Sequence, residues 1–184
     1  MYLVNTRPNI FYVVNQLSQA MVYPTKLFWK AGKYVLIYLM GTSKYGLWYR
    51  QIDEVKLHGF TDADWAGNPT ERKRTSGWLF SIGSTAISWY NRKQRSVALS
   101  SAEAKYMVAS QASCEAIWMR KILVDFFGSH LDPIVIYCDN QSCIKLSVNL
   151  VFHDRCKHID IRYHRIKDCV QRKIMLLSYI PTED

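Results

Sequence analysis

Residues 132–140, DPIVIYCDN, hold five apolar residues in an unbroken run, Ile134 to Cys138, entered through a proline and left on an aspartate. With no polar residue to turn outward, such a run suits a short strand in a sheet covered on both faces. A sheet of that kind needs helices to cover it, which constrains the chain to an α/β arrangement. The flanking patterns agree. KLHGFTD and SGWLFSIG read as strands, and TAISWYNRK as the return strand of a hairpin turning at Gly83-Ser84, with Trp78, Phe80 and Ile82 alternating on one buried face. A helical stretch from Ser101 to Phe127 follows, stopped by Gly128. After the apolar run come a short helix near 142–147, a basic helix around 159–172 and a last strand, IMLLSYI. The order is three strands, a long helix, a strand, helices, a strand.

Before position 51 the pattern is helical. Ile10, Val13, Val14, Leu17 and Met21 share one face until Pro24, and Leu27, Ala31, Val35 and Leu39 share another before Gly41. Two such helices have no evident core of their own and must dock on each other or on something else. The boundary expected is near 49–56, giving a helical segment 1–50 and a domain 51–184. At 184 residues and 49% hydrophobic the chain is no disordered protein, and a net charge of +9 favours polyanionic partners. The odd set of five cysteines, and a start broken by a proline and polar residues, predict reduced thiols and an intracellular, cytoplasmic or nuclear protein without a signal peptide. No run approaches the ~18 apolar residues of a membrane span. Cys138, Cys143, His153, Cys156, His158, His164 and Cys169 contain no C-x-x-C pair and match no usual zinc spacing. Cys138 reads as a buried thiol.

Asp62 leaves the first strand and Asp139 ends the fourth. If those strands are neighbours their carboxylates lie side by side, and like charges so placed repel unless a cation sits between them. Magnesium or manganese fits that demand, being hard ions that prefer oxygen ligands. Each acid also has a structural reading. A strand-end aspartate caps turns, Asp64 reads as a turn residue beside the site, and SSAE is a capping box with Ser100 as N-cap and Glu103 reaching back.

Taken together, GFTDADWAG, RKRTSGWLFSIGSTAISWYNRKQRSVALSSAEAKYMVAS, IYCDNQSCIKLSVN and KHIDIRYHRIKD resemble the ribonuclease H domain of copia-type retrotransposon polyproteins. The opening segment resembles the end of the reverse transcriptase that precedes that domain; the polymerase's Tyr-x-Asp-Asp motif is absent, which excludes polymerisation. The resemblance implies a five-stranded mixed sheet flanked by helices and hydrolysis of the RNA strand of RNA/DNA hybrids with two Mg2+ or Mn2+ ions. It assigns Asp62, Glu103 and Asp139 as catalytic metal ligands, in an order that differs from the Asp, Asp, Glu of integrases and transposases. It also makes Asn140, Gln141 and Ser142 candidates for contacts to 2′-hydroxyls, which mark the RNA strand; their structural reading is a helix N-cap. Lys157, His158, Arg162 and Arg165, within a basic run that continues to Lys173, are candidates for the phosphate backbone, or else form a solvated helical face.

Two departures matter. Relatives carry a fourth carboxylate on a helix after the last strand, and this sequence ends at Asp184 before it; Glu183 and Asp184 fall in the connecting loop and Asp160 precedes the strand, so no residue is assigned. Both ends read as cuts in a longer Pol polyprotein, whose remainder is a possible partner. Missing one ligand, the second ion should bind weakly and cleavage should be feeble. The sheet should also expose apolar surface. The second departure is Lys105, where relatives often have an acid; a small effect on an exposed helical face is expected. The alternatives are a non-catalytic nucleic-acid-binding fragment and a remnant without function.

Overall fold

The computed structural model describes residues 2–51, 55–64, 75–94, 97–98, 100–128, 131–148 and 165–181. The chain divides into two compact units, Met1–Gln51 and Ile52–Asp184.

The first unit holds α1 (Tyr2–Thr6), α2 (Pro8–Gln19), a 3-10 turn (Ala20–Val22) and α3 (Lys26–Gly41). Pro8 opens α2, where its missing N–H would have had no helical partner anyway. Thr25 caps α3, its Oγ1 accepting from the Phe28 N–H at 3.3 Å. The two long helices meet around Ile10, 3% exposed, beside Val13, Ala31 and Val35. Arg7 fastens the end of α3, donating from Nη2 to the Thr42 carbonyl at 2.9 Å and to Thr42 Oγ1 at 2.7 Å. A unit this small buries little of its apolar surface. Leu27, expected on the inner face, is exposed with Trp29, Leu36, Ile37 and Met40.

In the second unit β1 (Leu57–Asp64), β2 (Thr75–Ile82), β3 (Thr85–Lys93), α4 (Ser101–Phe127), β4 (Ile134–Cys138), α5 (Gln141–Val148), α6 (Arg165–Gln171) and β5 (Met175–Tyr179) follow in the expected order. The five strands form one mixed sheet, ordered β3-β2-β1-β4-β5. The β1–β2 and β2–β3 pairs are antiparallel, while β1–β4 and β4–β5 are parallel. Gly83, at φ 57°, lets the β2–β3 chain reverse in two residues.

Helix α4 is fixed at both ends. Ser100 Oγ accepts from the Glu103 N–H at 3.1 Å, and Gly128, at φ 62°, donates its N–H to the Val124 carbonyl at 2.8 Å. Tyr106, Met107, Met119 and Leu123 of α4 are buried in the core with Phe80, Ile134, Ile136, Ile166 and Met175. Ala109, Ala112 and Ala116, all wholly buried, keep that face of the helix thin. Gly59 matters equally: a Cβ there would strike the ring of Phe80, which lies fully buried across β1. The α4, α5 and α6 helices pack on one another and on the sheet.

β4 departs from expectation in one respect. Ile134, Ile136 and Cys138 are wholly buried, but Val135 and Tyr137, facing the other way, are half-buried. On that side Tyr137 stacks on Phe60 of β1 with centroids 5.1 Å apart, and His58 meets Phe60 edge-on at 5.6 Å. Ring packing within the sheet therefore shelters part of a face that the sequence pattern assigned to full cover. Among the described residues no helix is long and apolar enough to cross a membrane.

Candidate active site

β1 and β4 are parallel neighbours whose last paired residues are Thr61 and Cys138. The next residues along, Asp62 and Asp139, therefore stand side by side at the carboxyl ends of the two strands, where open α/β sheets gather functional groups. Asp62 Oδ1 also accepts from the Ala63 N–H at 2.7 Å, which orients the carboxylate.

The ammonium of Lys105 lies between the two acids. Its Nζ donates to Asp139 Oδ2 in a short ion pair and stands 3.4 Å from Asp62 Oδ1. The Lys105 side chain is 14% exposed, against 21% for Asp139 and 55% for Asp62. The expectation of an exposed helical face with little effect is thus corrected. Lys105 lies on the first turns of α4, which bring it over the ends of β1 and β4, and its four-carbon stem reaches the carboxylates. Burial pulls the lysine pKa down, but the hydrogen bond to Asp139 and the charges of Asp62 and Asp139 outweigh it, so the pKa lies above the ordinary lysine value. Gln94, wholly missed in the sequence, holds the same turn in place: it is 3% exposed and its Nε2 donates to the Ala104 carbonyl at 3.1 Å. A polar residue just after a strand gave no signal of that role.

Glu103 is buried at 8% exposure, and its N–H makes the capping bond to Ser100. At 3.6 residues per turn it lies roughly 200° around α4 from Lys105. Among the described residues no three His, Cys, Asp or Glu side chains come together closely enough to hold a metal ion. The structure brings Asp62 and Asp139 together and adds Lys105 to them; it does not add Glu103. The ammonium already stands on the oxygens of both carboxylates, so a divalent ion that took the same place would have to displace it. As arranged, these residues fit one resident cation and do not fit a two-ion centre.

Asn140 is the N-cap of α5, its Oδ1 accepting from the Cys143 N–H at 2.8 Å. Gln141 and Ser142 are exposed in the first turn that follows. Beneath them Cys138 and Cys143 are wholly buried, free thiols. The hydrogen bond between them raises the Cys143 pKa, with burial adding to it, and lowers that of Cys138 to about 7. Arg165 is exposed at the start of α6, and Arg172 of the same basic run pairs with Asp168 at 2.8 Å. Lys157, His158, Arg162 and Asp160 lie outside the described residues, as does the side chain of Asp64.

No family model matches the sequence. Individual proteins do. The chain is 40% identical over 183 residues to the retrovirus-related Pol polyprotein from transposon RE2 of Arabidopsis thaliana, covering 100% of this chain and 13% of the polyprotein. It is 41% identical over 182 residues to the corresponding polyprotein from transposon TNT 1-94 of Nicotiana tabacum, covering 99% of this chain and 14% of that one. It is also 47% identical over 120 residues to secreted RxLR effector protein 161 of Plasmopara viticola, covering 65% of this chain and 84% of that protein. Among solved structures, LC11-RNase H1, isolated from compost, superposes with a TM-score of 0.51 at 15% identity, covering 70% of this chain and 86% of that one. That likeness speaks to the fold, and the alignments speak to descent across the whole sequence. Over its whole length the chain is a relative of the retrovirus-related Pol polyproteins of transposons, it spans about an eighth of their length, and its fold is ribonuclease H-like.

Proposed function

We propose that this chain is the ribonuclease H-type segment of a copia-type LTR retrotransposon Pol polyprotein, with residues 1–50 derived from the reverse transcriptase end and 51–184 forming the nuclease domain. Its substrate class is the RNA strand of RNA/DNA hybrids, its metal Mg2+ or Mn2+, and its setting intracellular. One observation carries the reading: Asp62 and Asp139 share a single cation-sized gap at the ends of adjacent parallel strands. The net charge of +9 supports binding of a polyanion. In this reading Asn140, Gln141 and Ser142 meet the RNA strand, Lys157, His158, Arg162 and Arg165 meet phosphates, and Glu103, named a third ligand by the resemblance alone, must reorient to join the two aspartates. Cleavage is slow in this sequence because Lys105 fills the gap.

The occupied gap also favours a second reading, a module that binds hybrids without cutting them. A labelled RNA/DNA hybrid incubated with the chain and Mn2+ or Mg2+ separates the two. Slow RNA-strand cleavage that disappears in Asp139→Asn supports the nuclease. Hybrid binding with no cleavage supports the binding module. Cleavage that survives Asp139→Asn unchanged refutes this site, and absence of both binding and cleavage refutes both readings.

A further inference from the structure

We propose that Lys105 is a tethered counter-ion: its ammonium occupies the cation place between Asp62 and Asp139 and keeps divalent ions out. The inference deepens the reading above and rests on its assignment of those two aspartates as the cation-holding pair.

Three observations support it. The ammonium contacts both carboxylates at once, as a bound ion would. Its side chain is nearly buried, so it is a resident group rather than a surface lysine passing by. Its backbone is immobilised from several directions: Ser100 caps the helix, Gln94 holds the Ala104 carbonyl, and Ala104 and Tyr106 on either side are buried. A competitor attached to the chain is present at a high effective concentration, and a free ion must outcompete it at every encounter. The ammonium is also a strongly hydrated point charge that suits carboxylate oxygens, so it is a fitting substitute for an ion in this gap.

Removing the charge should therefore open the site, and a carboxylate at the same position should add a ligand. Glutamate is one atom shorter than lysine and would carry an acid toward the place the ammonium now holds. The probe is Mn2+ alone, without nucleic acid, added to the full chain and followed by calorimetry and by the electron paramagnetic resonance of free Mn2+. Wild type should bind weakly, Lys105→Met about tenfold or more tightly, and Lys105→Glu more tightly still, while Lys105→Arg stays weak. The melting temperature provides a second readout: Mn2+ should raise it for Lys105→Met and leave wild type unchanged. If Lys105→Met binds Mn2+ no better than wild type, the proposal is overturned. Should the variants fail to fold, the wild-type chain still decides: loss of the Asp62 and Asp139 amide signals at submillimolar Mn2+ would show that the lysine excludes nothing, and their persistence supports the proposal. Tighter Mn2+ binding by Lys105→Glu with no hybrid cleavage would leave this inference standing and sink the nuclease reading alone.

Discussion

Replacing Lys105 by methionine removes the charged atom and keeps an apolar stem of similar length, so the effect on stability chiefly reads the ion pair. Breaking a buried, hydrogen-bonded pair by deleting one partner costs about 3–5 kcal/mol, most of it the penalty of the charge left behind. Here Lys105 is 14% exposed and Asp139 21% exposed, so water recovers part of that penalty and about 2–3 kcal/mol is the expected loss. Asp62, at 55% exposure, is screened and adds no more than about 0.5 kcal/mol. Asp139→Asn alone should cost about 1–2 kcal/mol, because the ammonium can still turn to Asp62. The double variant strands only the half-exposed Asp62 and should lose no more than either single change, a coupling of about 2 kcal/mol. Urea unfolding of the full chain followed by circular dichroism, in the absence of divalent ions, measures all three. Strictly additive losses would refute the pairing. The pH dependence offers a check of sign. Since the folded pKa of Lys105 lies above its ordinary value of 10.5, its contribution is fully present below that pH and fades as pH rises through the folded value. As pH rises from neutrality, wild type and Lys105→Met should therefore converge in stability only in strongly alkaline solution, and convergence near neutrality would contradict the ion pair.

Gly59→Ala drives a Cβ into the ring of Phe80, which is fully buried and has no free direction to yield; a loss of about 1–3 kcal/mol is expected in thermal unfolding, and a change within about 0.5 kcal/mol, the range of ordinary surface substitutions, would mean the strand shifts freely. Asn140→Ala removes the cap of α5 and should cost about 0.5–2 kcal/mol, whereas Asn140→Asp keeps an acceptor for the Cys143 N–H and should be nearly neutral. If Asn140→Ser, which caps without adding charge, preserves stability but weakens hybrid binding, the residue has a contact role beyond the cap; equal binding would assign it to the cap alone.

Much of the fold was legible because it rests on local periodicity. The Ile134–Cys138 run, the alternation of Trp78, Phe80 and Ile82, and the Ser100 and Gly128 boundaries of α4 each express a preference that neighbours in sequence enforce. That β4 is set beside β1 stood only as a condition in the sequence, since periodicity does not say which strands pair, and the structure supplied it. Gly59 shows the limit from another side: a glycine in a strand was visible, but that it makes room for Phe80, from the neighbouring strand, was not. The full cover expected for β4 failed at Val135 and Tyr137 because an apolar run cannot distinguish burial under a helix from packing among rings.

By itself the sequence determined the helical and extended segments, the caps, the basic balance and the two strand-end aspartates, all of which depend on residue type and near neighbours. Only the tertiary structure decided what stands between those aspartates. Glu103 and Lys105 are two residues apart, and which of them turns toward Asp62 and Asp139 depends on how α4 is rotated against the sheet. That rotation goes with long-range packing of Tyr106, Met107, Ala109 and Ala112, and the structure places an ammonium at the pair of aspartates to which the resemblance had added a third carboxylate.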